Sequence, residues 1–261
     1  MDESFAPIVL CGGKGSRLEE LTSKTNKPLI RIGGAPVLLH VCYRYWLAGA
    51  RLIHLAAGWR YSKFFDEFNL ALRELSDDPI FGQMIKDTEF EIHDTGDESD
   101  TFTRLKNLLE HIENNYFLVT YGDTITDVNC KALIKNFFSR CRGVDDCIVS
   151  VVQPKKRFST ISFDPGSNRV LLFEEKLGRE KDWVGCGFMV LKRQAIQSVV
   201  AFESLEKEFL PHLVDQNKLY SNAHRGVWIP IDYLHDVRIA EEAMRDAGNG
   251  RPPWLISPED D

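Results

Sequence analysis

Ten residues into the chain an apolar run gives way to LCGGKGSRL, Leu10 to Leu18, a glycine cluster followed at once by cationic side chains. Glycines in a strand-to-helix turn let backbone N–H groups approach an anion closely, so the chemistry this segment offers is phosphate binding. Two common phosphate motifs do not fit it. A dinucleotide fingerprint, G-x-G-x-x-G, needs a third glycine for close helix packing, but Gly13-Lys14-Gly15 is followed by Ser16, Arg17 and Leu18. An ATP-type loop, G-x-x-x-x-G-K-[ST], needs its lysine after the last glycine, whereas Lys14 precedes Gly15. Between Gly12 and Gly34 stand five basic residues, Lys14, Arg17, Lys24, Lys27 and Arg31, against Glu19 and Glu20. The segment is therefore an anion-binding turn of local positive charge, or else a tight turn with solvated lysines. A second candidate is Asp123, which closely follows the apolar run YFLVTY, Tyr116 to Tyr121. Open α/β sheets bind ligands at the C-terminal ends of their strands, although an aspartate there can also cap the next helix.

These residues must be positioned by alternating strands and helices. Strand-like runs at Pro7 to Cys11, Leu52 to Ala57, Phe90 to His93, Tyr116 to Tyr121 and Cys147 to Val152 are separated by helical patterns. Those begin near Val37, Lys63, Arg104 and Lys131. Repeated β-α units predict an α/β fold with a mostly parallel sheet and helices on both faces. From Phe158 to Leu191 the pattern changes to strands with a turn at Asp164 to Asn168, which predicts antiparallel additions in the C-terminal half. A helical region, Glu203 to Val214, precedes short strands at Leu219 and Val227 and a last helix from Asp236 to Ala247. The Gly- and Pro-rich end, residues 248–261, is expected to be a surface tail or an oligomer contact of a single domain spanning 1–261.

Composition narrows the function classes. With 43% hydrophobic residues in 261, the chain can bury a large core. Its net charge of −7 opposes general binding to nucleic acid or anionic membranes. The first residues lack a signal-peptide layout and no apolar run reaches membrane-spanning length, so a soluble cytoplasmic protein is expected. The six cysteines form no C-x-x-C pair and the seven histidines no H-E-x-x-H pattern. They read as buried thiols and as core or surface histidines.

LCGGKGSRL joined to Asn26-Lys27-Pro28 resembles the L-x-G-G-x-G-x-R-L … K-P signature of sugar-1-phosphate nucleotidyltransferases. The resemblance is nearest the glucose-1-phosphate cytidylyltransferase branch. IGGAPVLLH from Ile32, DTGDESDTFTRLK from Asp94, YGDTITDV from Tyr121, WVGCGFMVL from Trp183 and VWIPIDYLHD from Val227 follow in that branch's order. The resemblance implies a Rossmann-like fold of the GT-A-like kind. It also implies the reaction of an NTP, here CTP, with a sugar 1-phosphate or similar small phosphate to give an activated product and pyrophosphate, with Mg²⁺ as cofactor.

By the same resemblance, Leu10, Gly12, Gly13, Gly15, Ser16, Arg17, Lys27, Thr101 and Arg104 hold the nucleotide, and Asp123 and Asp232 bind the metal. Glu175 (or Glu174), Lys176 and Gly187 face the acceptor. Arg17, Lys27 and Lys176 form the catalytic set, Arg17 on the departing pyrophosphate. A homo-oligomer is expected, with no nucleic-acid or membrane partner. Asp236 competes with Asp232 for the metal role. For Thr101 the alternative is helix N-cap, and for Arg104 an early helical surface residue. Phe102 and Thr103 stand where the branch has glycines, and Gly185-Cys186 where it has Asn-Gly, which leaves the acceptor open. ESLEKEFLPHLVDQNKLY, from Glu203, is similar to guanylyltransferases acting on heptose 1-phosphate. That reading, and a non-catalytic nucleotide- or sugar-phosphate-sensing subunit on the same fold, stand as alternatives.

Overall fold

A computed structural model describes residues 5–13, 15, 18–23, 25–155, 159–174, 181–247 and 251–256. Its strands are β1 (Phe5–Leu10), β2 (Arg31–Ile32), β3 (Ala35–Pro36), β4 (Leu52–Ala57), β5 (Glu89–Asp94), β6 (Tyr116–Tyr121) and β7 (Thr124–Thr126). They continue as β8 (Cys147–Val152), β9 (Thr160–Asp164), β10 (Arg169–Glu174), β11 (Val184–Lys192), β12 (Leu219–His224) and β13 (Trp228–Pro230). The helices are α1 (Glu19–Thr22), α2 (Val37–Leu47), α3 (Tyr61–Glu74), α4 (Gly82–Asp87), α5 (Thr101–Leu109), α6 (Cys130–Arg140), α7 (Arg193–Gln197), α8 (Leu210–Asp215) and α9 (Leu234–Asp246).

Seven strands form one sheet in the order β12-β8-β11-β6-β1-β4-β5. β1 pairs in parallel with β4 and β6, β4 with β5, and β8 with β12, while β11 runs antiparallel between β6 and β8. The mostly parallel sheet is therefore as the pattern predicts. The antiparallel additions are divided: β11 joins the sheet, whereas β9 and β10 form a separate hairpin. Its turn is closed by Asp164, which accepts from the N–H groups of Gly166 and Ser167.

Strand β1 shows why the sheet is covered on both sides. Successive side chains point to opposite faces, and Phe5 and Val9 enter one apolar cluster while Ala6, Ile8 and Leu10 enter another. Helix α2 is buried along Val37 to Tyr45 and lies in the first. Helix α5 contributes Phe102, Leu105 and Leu108 to the second. Asp100 and Asn129 cap α5 and α6 by accepting from the N–H groups of Thr101 and Ala132. Thr101, an alternative N-cap by sequence, is thus the first helical residue.

Residues 251–256 depart from the expectation of a surface tail. Trp254 and Leu255 are buried, and Arg44 on α2 donates to the carbonyls of Trp254 (3.2 Å) and Ile256 (3.0 Å). Trp254 Nε1 donates to His40 Nδ1 at 3.1 Å. Glycine and proline mark backbone that leaves regular structure, but a tryptophan and a leucine carry enough apolar area to hold such backbone against a core. Among the described residues no helix is long and apolar enough to cross a membrane.

Candidate active site

The turn after β1 is shaped by one buried arginine. Arg104 on α5 sends Nη1 to Thr95 Oγ1 (2.9 Å) and to the carbonyls of Gly96 (2.9 Å) and Ala57 (3.3 Å), and Nη2 to the Gly12 carbonyl (2.9 Å). A Cβ on Gly12 or on Gly58 would overlap the guanidinium. An arginine tip elsewhere could swing away, but this one is tied to three loops. Arg104 is therefore buried and gathers the turns after β1, β4 and β5 from beneath. Surface exposure, the alternative by sequence, does not hold.

Gly15 has a positive φ of 63°, and a Cβ there would press on Thr22 (2.8 Å) and the Lys27 stem (3.0 Å). Thr22 Oγ1 donates to the Gly15 carbonyl at 3.0 Å, holding the loop's far end. Gly13 differs: it is exposed, and among the described residues a Cβ there meets nothing within 4 Å. Leu10 is buried and its carbonyl accepts from Gly122 at 3.0 Å, which places the glycine loop beside the segment leading to Asp123.

Lys27 opens a short 3₁₀ turn, Lys27–Leu29, preceded by Asn26, whose side-chain amide donates to the Trp59 carbonyl at 2.5 Å and ties the turn to the 58–60 loop. Its Nζ lies 2.7 Å from Asp123 Oδ2 and 2.8 Å from Asp232 Oδ1. The two aspartates come from distant parts of the chain through the antiparallel pairing of β7 with β13, Thr124 opposite Pro230. Just beyond that pairing the Ile231 N–H donates to the Asp123 carbonyl at 2.9 Å. Both carboxylates are partly exposed, 31% and 28%, while the Lys27 side chain is 12% exposed. Burial pulls the Lys27 pKa down, but the Asp123 charge and hydrogen bonds to both carboxylates outweigh it and leave the ammonium above its ordinary value.

Asp236 has another task. It is buried, and its Oδ2 accepts from the N–H groups of Asp232 (3.0 Å) and Tyr233 (2.8 Å) at the start of α9. It fixes the backbone that carries Asp232, and of the two it is Asp232 whose carboxylate reaches Lys27.

At the end of β6 stands a network that sequence reasoning missed. Glu206 accepts from Thr101 Oγ1 (2.9 Å), from Ser204 Oγ (3.2 Å) and from the Tyr121 hydroxyl. Burial and the adjacent Glu206 carboxylate push the Tyr121 phenol well up, so it stays a proton donor. Gly187, with φ of 98°, lies under the Tyr121 ring, which a Cβ would meet at 3.2 Å. Thr101 is thus drawn to the 204–206 turn. Phe102 is buried and stacks on Phe209 with ring centroids 4.6 Å apart, locking α5 to the helical turn Leu205–Phe209 that carries Glu206. The signal in the sequence is the ESLEK run from Glu203, whose Glu206 supplies this carboxylate.

The structure thus brings Lys27, Asp123 and Asp232 together beside Leu10, Gly12, Gly13 and Gly15, sets Arg104 behind the loop, and places Thr101 and Gly187 around Tyr121. Ser16, Arg17, Glu175 and Lys176 lie outside the described residues, as does the Glu174 side chain.

The family model described as "Nucleotidyl transferase" matches residues 6–232. Among curated proteins the chain is 29% identical over 258 residues to glucose-1-phosphate cytidylyltransferase of Salmonella typhi, covering 95% of this chain and 97% of that one. It is 24% identical over 234 residues to D-glycero-alpha-D-manno-heptose 1-phosphate guanylyltransferase of Campylobacter jejuni, covering 87% and 96%. The crystal structure of HddC from Yersinia pseudotuberculosis complexed with GMP-PN shares the fold, with a TM-score of 0.65 at 21% identity over 91% of this chain and 98% of that chain.

Proposed function

Because the chain belongs to the nucleotidyl transferase family, we propose that it transfers a nucleotidyl group from an NTP, CTP foremost, to a sugar 1-phosphate with release of pyrophosphate. The observation that carries this reading is Lys27 held between Asp123 and Asp232 beyond the C-terminal ends of β1 and β6, where open α/β sheets bind ligands. The similarity to glucose-1-phosphate cytidylyltransferase along nearly its whole length favours CTP.

A phosphate monoester has a second pKa of about 6, so the acceptor is already a dianion near neutral pH and needs no general base. One of its oxygens forms the bond to the α-phosphorus. The bond between the α-phosphorus and the oxygen bridging it to the β-phosphorus breaks, and its electron pair stays on that oxygen, which leaves with pyrophosphate. Positioning and charge neutralisation then carry the rate. In this reading the open face of Gly13 admits the phosphates against backbone N–H groups, and Lys27 contributes an ammonium that stays charged across the working pH range. Arg17 and Lys176 complete the set, on the leaving pyrophosphate and the acceptor phosphate.

Asp123 and Asp232 suit a Mg²⁺ ion. Their oxygens converge on a single cationic atom, the Lys27 ammonium, from 2.7 and 2.8 Å, and an all-oxygen donor pair is what a hard cation selects. The ion would neutralise phosphate charge, with Lys27 freed to do the same. The test is incubation with each NTP, Mg²⁺ and a panel of sugar 1-phosphates, following pyrophosphate. Turnover with CTP and a hexose 1-phosphate is expected; no pyrophosphate with any pair overturns the catalytic reading. GTP preferred with a heptose 1-phosphate would instead favour the relation to the Campylobacter enzyme.

A further inference from the structure

The sheet face under α5 carries a second group of chemistry-bearing side chains, away from the lysine and its two aspartates. His54 on β4 sits opposite Glu91 on β5, and Ala56 opposite His93. Because residues two apart on a strand share a face, this register sets Glu91 and His93 side by side next to His54. His54 Nδ1 lies 3.0 Å from Glu91 Oε2 and 3.2 Å from His93 Nε2, and the last two atoms are 3.5 Å apart. The His54 side chain is buried and that of His93 mostly so, while the Glu91 side chain is 45% exposed and gives the group its open side. The His111 ring lies nearly parallel to that of His93 with centroids 6.0 Å apart.

Ligands about 2.0–2.1 Å from a tetrahedral zinc ion are about 3.3–3.4 Å from one another. The triangle of 3.0, 3.2 and 3.5 Å is therefore close to one face of such a tetrahedron. Hydrogen bonding alone serves this arrangement poorly. With a proton on only one of His54 Nδ1 and His93 Nε2, the other nitrogen's lone pair faces the Glu91 carboxylate, and with a proton on both the two N–H groups face each other, so no pair of neutral tautomers satisfies all three contacts. One cation satisfies all three.

We propose that His54, Glu91 and His93 form a site for a divalent transition-metal ion of the zinc class, separate from the oxygen-only pair Asp123 and Asp232. Two imidazoles and one carboxylate select a borderline ion, where two carboxylates select a hard one. Bound there, the ion ties β4 to β5 just before Ala57, Thr95 and Gly96, the residues that grip Arg104 and through it the Gly12 turn. Its role is that of a brace beside the nucleotide loop.

The test is a Co²⁺ titration of the metal-free protein, in excess Mg²⁺ to occupy oxygen-only sites, followed by visible absorption. The expected result is one Co²⁺ per chain with the intense d–d bands of a tetrahedral ion, displaced by Zn²⁺ and not by Mg²⁺. His93→Gln and Glu91→Gln should each lose those bands. Their circular dichroism should stay that of the parent, since both side chains reach the surface. In a second arm, Zn²⁺ should raise the parent's Tm and leave that of both variants unchanged. Weak octahedral absorption only, bands that persist in both variants, thiolate charge-transfer absorption from the cysteines, or equal Tm shifts in parent and variants would overturn the proposal.

Discussion

At the residue scale the site turns on one cation shared by two anions. Removing either carboxylate leaves Lys27 with half its partners. Asp123→Asn and Asp232→Asn are expected to reduce kcat/KM by roughly 100-fold or more, with far-UV circular dichroism unchanged because both side chains are partly exposed. Near-normal turnover in either would remove that residue from the metal role. Lys27→Met should separate two functions. Turnover falls, yet two carboxylates left without their ammonium bind a divalent ion more tightly in the absence of nucleotide. Mn²⁺ affinity measured by water-proton relaxation checks this, and weaker binding than in the parent would show that Lys27 supports the ion and does not compete with it.

At the element scale the decisive feature is that three strand-end turns share one guanidinium. Arg104→Met would take a charged donor from the carbonyls of Gly12, Ala57 and Gly96; Gly12 keeps the Trp59 N–H and Ala57 keeps Thr95, so what is lost is the tie between the loops, and hydrogen bonds to a charged group contribute about 1.5–3 kcal/mol each. A loss of about 2–3 kcal/mol in urea unfolding is expected, with a raised KM for nucleotide. Gly12→Ala should act on the same contact from the other side, because its Cβ overlaps the guanidinium. The double variant should therefore cost clearly less than the sum of the two single ones. Additive losses would mean that the two residues do not share one contact. The elements themselves were legible in the sequence, since alternating apolar runs with turn residues between them name strands and helices at short range. The partners of Arg104 were not, because a helical arginine with aspartates nearby reads as a surface residue until three separate loops are seen to converge on it.

For the molecule as a whole, the buried Trp254 and its histidine partner set an acid limit. His40 accepts from Trp254 at Nδ1 and faces the Ile32 carbonyl from Nε2 at 3.0 Å, and burial pushes its pKa down to about 4. The unfolded chain, with histidine near 6.5, takes up this proton first. Stability is therefore fully present above about pH 6.5 and falls as pH drops towards 4, by about 2 kcal/mol from His40 alone at pH 5. Urea midpoints at pH 7 and pH 5 check this, and a midpoint unchanged across that range would contradict a neutral, buried His40. Trp254→Ala should cost about 3–5 kcal/mol, which a tail lying on the surface would not show; an unchanged Tm would refute the docking.

The chemistry of the glycine loop, the alternation of strands and helices, and Lys27, Asp123 and Asp232 as candidates could all be read from the sequence. Each rests on residue type, short spacing or the order of motifs along the chain. Only the tertiary structure decided which groups meet. The β7–β13 pairing joins two aspartates far apart in sequence around one lysine, a strand register sets His54 beside Glu91 and His93, and Glu206 reaches Tyr121 across two elements. Such contacts depend on which strands pair and in what register, a choice made by burying both faces of the sheet at once, and no local stretch of sequence carries that information.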